Sequence, residues 1–121
     1  MVIEKVNIAE KFSLFNDYWN PRIIGELNGQ QIKIVKIEGE FVWHLHEKED
    51  EMFLVISGIL KIEFRDKIIE IKPNEFIIVP KGVEHKPVAD SEVLIMLFEP
   101  DTTINTGNSK GELTRVNLEK I

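Results

Sequence analysis

Two histidines separated by one residue, His44 and His46, are the first side chains in this sequence whose types and spacing could do chemistry. Because alternate residues of a β-strand point to the same face, these two imidazoles would project side by side. The third histidine of the chain, His85, follows a turn marked by Pro80 and Gly82. Imidazole nitrogens are common ligands of transition metals, so the pattern favours a metal site assembled from separate strands.

A carboxylate is the fourth candidate ligand. Glu51 shares a strand face with the apolar residues Phe53 and Val55, so its side chain is predicted to be buried. A lone buried carboxylate is costly unless it is paired or binds a metal, which favours Glu51 as a ligand. Asp50 would take its place if the strand register differed by one residue. If residues 44–51 are instead a charged hairpin tip, the histidines there are ordinary residues and no metal is needed.

The elements that must position these side chains are predicted to be short β-strands. From Gln31 onward, apolar stretches are separated by Gly, Asn, Asp and Pro, without a long amphipathic helix between them. This pattern is typical of an antiparallel sandwich or barrel. The predicted strands are residues 31–38, 41–46, 51–57, 59–65, 67–71, 75–79, 84–88 and 92–99. Upstream, Asn7 and Glu10 have the spacing of a capping box, which predicts a short N-terminal helix through about Leu14.

Period-two counting assigns the strand residues to two faces. The residues predicted to point inward, where they would form a mostly apolar pocket around the site, are Val42, Phe53, Val55, Ile62 and Phe64. The residues predicted to point outward are Phe41, Trp43, Leu45, Met52, Leu54 and Ile56. Trp43 is interpreted as packing in preference to a substrate platform. An outward apolar surface of this extent is typical of an interface, so the sequence predicts a homodimer.

Composition narrows the class of protein. A length of 121 residues fits one domain, residues 1–121, with its own core. The chain has no cysteine, so any metal must be held by nitrogen and oxygen ligands, and a cytoplasmic location is expected. With 21 acidic and 15 basic residues the net charge is -6, which disfavours nucleic acid as a partner. No apolar stretch has the length of a signal or a bilayer-spanning segment, so no membrane partner is expected.

The segment from Gly39 to Ala89 resembles the two conserved motifs of the cupin superfamily, as in a small single-domain cupin with its motif core at residues 39–89. The residues that carry the resemblance are Gly39, His44, His46, Glu51 and Gly58 in the first motif and Asn74, Pro80, Gly82 and His85 in the second. Three positions depart from the usual pattern. Gly39 stands one residue nearer the histidines, Asn74 replaces a glycine, and Ala89 replaces a frequent asparagine.

The resemblance implies an all-β fold, an antiparallel jelly-roll β-barrel, here with a short N-terminal helix. It also implies that one divalent transition metal is bound by His44, His46, Glu51 and His85. Three imidazoles and one carboxylate suit Fe, Mn, Ni, Zn or Cu, so the ligand chemistry does not select the metal.

The predicted function is that of a metal-binding small cupin, an enzyme acting on a small polar metabolite in an isomerase-like or dioxygenase-like reaction. Four protein ligands leave open positions on a six-coordinate ion, where a small-molecule ligand can bind, and Glu51 could also accept a proton. The alternative is a non-catalytic module that binds or senses a metal or a small ligand. Residues 101–108, rich in turn formers, are interpreted as a connecting loop in preference to a lid.

Overall fold

The computed structural model describes residues 2–121, which form one helix and seven strands. In chain order the elements are α1 (Ile8–Phe12), β1 (Arg22–Leu27), β2 (Gln30–Glu40), β3 (Glu51–Ser57), β4 (Leu60–Glu63), β5 (Ile68–Ile71), β6 (Phe76–Val79) and β7 (Lys86–Pro100). The ladders between these strands are antiparallel, in the order β1-β2-β7-β3-β6, and β4 pairs with both β5 and β7. The predicted class, an antiparallel jelly-roll barrel with a short N-terminal helix, is confirmed.

Strand β7 connects the two parts of the sheet. Its first residues pair with β4, and its second half pairs with β2 on one side and β3 on the other. Along that half, Val93, Ile95 and Leu97 are buried while the residues between them are half-buried. Their inward face contributes to the main apolar core, whose buried members are Val35, Ile37, Phe53, Val55, Leu60, Ile62, Ile71, Val79, Ala89, Val93, Ile95 and Leu97. The inward positions predicted for Phe53, Val55 and Ile62 are therefore confirmed.

The N-terminal helix begins where the sequence predicts and ends earlier. Asn7 Oδ1 accepts a hydrogen bond from the Glu10 amide at 3.0 Å, which caps the helix. Ser13 is the C-cap, so α1 ends at Phe12 and does not reach the predicted end at Leu14. Within residues 2–121, no helix is long and apolar enough to cross a membrane.

A second apolar cluster lies under this helix. Phe12 and Phe15 pack with Ile34 of β2, and Ile56 of β3 packs against them. Ile56 points away from the main core, as predicted, and the N-terminal segment covers it. Burial of these aromatic side chains stabilises the attachment of α1 to the sheet.

Sequence reasoning missed one strand, β1, and divided another, β7, into two. Strand β1 contains Gly25 beside a shift of register, so the strand continues through a bulge at a residue type that is unusual in strands. The segments 84–88 and 92–99 form the single strand β7. Residues 89–91 lack large apolar side chains, yet the backbone stays extended there, and Asp90 Oδ2 accepts a bond from Lys61 Nζ at 2.8 Å.

Residues 41–46 do not form a continuous strand. Their backbone groups bond in turn to different parts of the chain: Phe41 N–H to Pro87 O, His44 in an isolated bridge to His85, and Leu45 to Asn108. The alternation assumed for a regular strand consequently fails for part of this segment.

Candidate metal centre

The structure brings together the four residues predicted to form the site. One ligand atom from each of the four side chains lies within 4.8 Å of every other, and all four residues are buried, with exposed fractions of 0–4%. They are His44, His46, Glu51 and His85. Glu51 is the first residue of β3, and His85 directly precedes β7. Both of these candidate ligands therefore lie where a strand begins.

Main-chain hydrogen bonds hold the two histidine segments side by side. His44 N–H donates to His85 O at 3.0 Å, and His85 N–H donates to His44 O at 2.9 Å. Gly82 N–H donates to His46 O at 2.8 Å, with Gly82 at a φ of +81°, a left-handed conformation that glycine adopts readily. The turn after Pro80 therefore sets the distance between the first pair of histidines and the third.

Two of the imidazole rings are oriented by backbone carbonyls. His44 Nδ1 lies 2.9 Å from Val42 O, and His85 Nδ1 lies 2.9 Å from Val83 O. Because a carbonyl oxygen only accepts, each ring donates from Nδ1 and keeps the lone pair of Nε2 free. This arrangement fixes the tautomer, as is usual for metal-ligating histidines.

Three of the potential ligand atoms are buried without a hydrogen-bond partner among residues 2–121: His46 Nε2, Glu51 Oε1 and His85 Nε2. Glu51 Oε1 lies 3.4 Å from each of the two nitrogens. Unpartnered buried polar atoms are rare and costly. A divalent cation would satisfy all three together, so the donor set fits a metal of the nitrogen- and oxygen-binding class.

The electrostatics of the cluster suit cation binding. Burial, together with the neighbouring His85, lowers the pKa of His44 to about 4, so this ring is neutral near pH 7, as a ligand must be. Burial acts to raise the pKa of Glu51, but the adjoining His46 and His85 outweigh it and hold that pKa well below its usual range. The site therefore presents a neutral imidazole beside an ionised carboxylate.

A buried ion pair lies behind Glu51. The register that pairs Met52 with Phe98 places Glu99 of β7 opposite Glu51, and the two carboxyl groups interact. Glu99 Oε1 accepts a bond from Lys33 Nζ at 2.8 Å. Burial and the adjacent Glu51 raise the pKa of Glu99 well above its usual range. Sequence reasoning missed this pair, although the inward alternation of β7 extends to Glu99.

A small cavity of about 40 Å³ adjoins the cluster, with His44 and Glu51 in its wall. The other residues that line it are Trp19, Pro21, Val35, Ile37, Phe41, Phe53, Pro87, Ile95, Leu97 and Asn105. The predicted apolar character is confirmed, as is the place of Phe53 in the wall. The outward position predicted for Phe41 is wrong, because its ring lines the cavity and stacks on Trp19 with centroids 4.8 Å apart.

Other residues predicted to line the pocket lie elsewhere. Val55 and Ile62 are in the apolar core, and Phe64 packs against that core. Val42 borders a separate depression beside residues 109–113. Trp43 packs against the Arg65 guanidinium, whose Cζ lies 3.8 Å from the centroid of the Trp43 ring. The pocket is formed by β2, β3, β7 and the segment that contains Trp19. No pattern in the sequence indicated the role of that segment.

The segment 101–108 lies against the histidines. Asn108 exchanges two hydrogen bonds with Leu45, at 2.9 and 3.1 Å. A Cβ added to Gly107 would collide with Leu45 O, so a glycine is required at this contact. Thr102 Oγ1 donates to Glu49 at 2.9 Å, and Asn105 reaches the cavity wall. Besides connecting elements, as predicted, residues 101–108 hold the backbone at Leu45, between His44 and His46, through hydrogen bonds.

Comparisons with known proteins agree with this architecture. The family model of the Cupin domain matches residues 32–99. The chain is 38% identical over 64 residues to the uncharacterized protein YdbB of Bacillus subtilis (strain 168); the match covers 52% of this chain and 57% of that relative. It is similar to the structure of a cupin-2 domain containing protein from Shewanella frigidimarina NCIMB 400, with 54% identity and a TM-score of 0.78 over 78% of this chain and 93% of that one. It also resembles protein NMB1881 from Neisseria meningitidis, with 29% identity, a TM-score of 0.74 and coverage of 81% and 100%.

Proposed function

The chain belongs to the cupin family, and from this premise we propose that it is a metal-dependent enzyme acting on a small metabolite. One divalent transition metal, Fe, Mn, Ni, Zn or Cu, is held by His44, His46, Glu51 and His85. The observation that carries the proposal is the convergence of four buried side chains, three of them with unpartnered ligand atoms, beside a cavity.

A bound divalent ion supplies a Lewis acid and open coordination positions for oxygen donors of a substrate. The protein contributes geometry. The carbonyls of Val42 and Val83 fix the rings of His44 and His85, which reduces the reorganisation needed on binding. The apolar cavity wall keeps water away from the substrate side of the cluster.

Glu51 is the one carboxylate of the ligand set and the candidate proton acceptor of the site, although its lowered pKa makes it a weak base in the metal-free protein. Its carboxylate borders the cavity and contacts Glu99 on the neighbouring strand. Both an isomerase-like and a dioxygenase-like reaction can use a carboxylate at this place, since each involves a substrate oxygen or an adjacent carbon that gains or loses a proton.

The alternative function is a non-catalytic module that binds or senses a metal or a small ligand. The observation that favours it is the depth of the cluster: His85 is 0% exposed and His44 2% exposed, and the adjoining cavity is small. An ion enclosed in this way would be retained strongly, whether or not it serves a reaction.

Nitric oxide binding separates the two functions. Anaerobic protein loaded with Fe(II) should bind nitric oxide and give the half-integer-spin EPR signal of an open non-haem iron site, because a catalytic ion keeps an exchangeable position. Glu51→Ala should lose the signal, whereas Glu47→Ala, which removes an exposed carboxylate nearby, should keep it. Iron-loaded protein that ignored nitric oxide and azide would contradict the enzyme proposal and leave the binding module.

A further inference from the structure

The cavity beside the cluster has fewer polar and charged side chains in its wall than a site for a metabolite that is polar throughout would need. Among the residues of the described chain that line it, Glu51 is the single charged side chain, and it belongs to the ligand set. The remaining wall is aliphatic or aromatic apart from the indole nitrogen of Trp19 and the amide of Asn105. The identity of the substrate depends on whether these two polar groups are free.

Both groups are already engaged within the protein. Trp19 Nε1 donates to Glu38 O at 2.9 Å. Asn105 Nδ2 donates to Leu113 O at 2.8 Å, and Asn105 Oδ1 accepts from Arg115 N–H at 2.8 Å. Among the lining residues beyond the ligand set, these bonds leave a substrate one donor, the second N–H of Asn105 Nδ2.

No cation in the described part of the chain lines the cavity. Lys33 is buried nearby on β2 but bonds to Glu99. A phosphate or a second carboxylate in this space would lose its hydration without gaining an opposite charge, which is strongly unfavourable. The wall therefore selects against substrates with an anionic group at the end remote from the metal.

The size of the cavity sets a further limit. A volume of about 40 Å³ is well below the ~150 Å³ of a protein cavity that holds a benzene ring. This volume favours a chain of a few carbon atoms over a six-membered ring. Phe41 stacks on Trp19 and is nearly perpendicular to the His44 ring, with centroids 5.4 Å apart, so the two aromatic rings border the space beside the ligand set.

We infer that the substrate is a short-chain compound with a metal-binding oxygen group at one end and an uncharged apolar tail that packs against Phe41, Ile95 and Leu97. This inference rests on the proposed function and narrows its substrate. The sequence predicts a small polar metabolite. According to this inference, only the end of the metabolite that binds the metal is polar. Phosphorylated substrates do not match this wall.

Three hydroxamates with the same metal-binding head test the inference. Acetohydroxamate carries a methyl tail, butyrohydroxamate a propyl tail, and phosphoglycolohydroxamate a phosphate tail. Dissociation constants for the Ni(II)-loaded protein are measured from the change in its visible absorption. We expect the propyl compound to bind at least about tenfold more tightly than the phosphate compound, because its tail buries apolar surface.

Two lysine variants, one in the cavity wall and one outside it, test whether the wall causes the preference for the propyl compound over the phosphate compound. Phe41→Lys places a cation at the wall and should reduce the preference for the propyl tail at least about tenfold, through tighter binding of the phosphate compound. Ile68→Lys adds the same charge at a side chain that is 59% exposed on β5 and should leave the preference unchanged. Phe41 is half-buried outside the regular strands, so the fold should tolerate the change.

Failure of the inference is distinguishable from failure of the proposed function. Nickel-loaded protein that bound the phosphate compound as tightly as the propyl compound would overturn the inference alone. Nickel-loaded protein that bound none of the three hydroxamates would instead contradict the open coordination position that the proposed enzyme function requires. Equal shifts in Phe41→Lys and Ile68→Lys would also overturn it, because the wall would then not be the cause. Protein that took up no nickel would overturn the metal centre itself.

Discussion

Lys33 and Glu99 form an ion pair that is almost wholly buried: Nζ and Oε1 are 2.8 Å apart, and the side chains are 2% and 1% exposed. Glu99 also contacts Glu51, so the lysine lies at the end of a row of two carboxyl groups inside the barrel. Burying charges is costly, and the loss of one partner leaves the other uncompensated. The pair therefore links the stability of the core to the position of a proposed metal ligand.

Replacing the lysine tests this link. Lys33→Met should lower the free energy of unfolding of the metal-free protein by about 3–5 kcal/mol, because Glu99 is left buried beside a second carboxylate without its cation. Urea denaturation followed by circular dichroism measures the change.

An exposed ion pair provides the control. Lys61 bonds to Asp90 at 2.8 Å, but the two side chains are 36% and 72% exposed, so Lys61→Met should cost no more than about 1 kcal/mol. The double variant Lys33→Met with Glu99→Leu should recover part of the loss. Equal destabilisation by Lys33→Met and Lys61→Met would contradict the role of the buried pair.

The turn before β4 contains a glycine, Gly58, that we expect to be difficult to replace. Gly58 has a φ of +84°, and a Cβ at this residue would lie 2.6 Å from Glu92 O. Gly29 has a similar φ of +77° with no atom of the described residues within 4 Å of its Cβ position. Gly58→Ala should therefore lower the melting temperature clearly more than Gly29→Ala, which carries only the left-handed backbone cost of about 1–2 kcal/mol. Similar losses in the two variants would show that the close approach to Glu92 is relieved without strain.

The candidate ligands could be identified from the sequence because their residue types and their alternation along a strand are informative. The clustering of the four candidate ligands could be predicted because histidine is rare in this chain, alternation favours one face for His44 and His46, and the segment resembles the cupin motifs. Glu51 could be placed among apolar residues by the same counting, and the structure buries it.

The surroundings of the site were harder to predict. The position of Phe41 depends on its backbone bond to Pro87, which ends the regular alternation before His44. The place of Trp19 depends on a backbone bond to Lys36 O and an unusual φ of 59°, neither of which a local pattern encodes. Long-range contacts of irregular segments were therefore missed, whereas regular strand patterns were largely correct.

The predicted homodimer remains a proposal, with a revised surface. Ile56 is covered by α1 and Trp43 by Arg65, so we propose that the pairing face is the outer side of β3 and β6. There Leu54 lies opposite Phe76 and Met52 opposite Ile78, and the side chains on β6 are 60% and 55% exposed.

Light scattering at micromolar concentrations should therefore give about twice the chain mass of 14.0 kDa. Phe76→Arg should shift the protein towards the monomer, whereas Ile68→Arg, at an exposed position on β5, should not. A mass equal to a single chain for the unmodified protein would contradict the proposal.

The metal content of the purified protein tests the central claim most directly. After loading with a divalent transition metal and removal of excess ion, elemental analysis should find about one ion per chain. His85→Ala should lose most of it, because one of four ligands and the orientation from Val83 are removed together, while Glu47→Ala should retain it. Metal content that was unchanged in a folded His85→Ala protein would contradict the assignment of His44, His46, Glu51 and His85 as the metal centre.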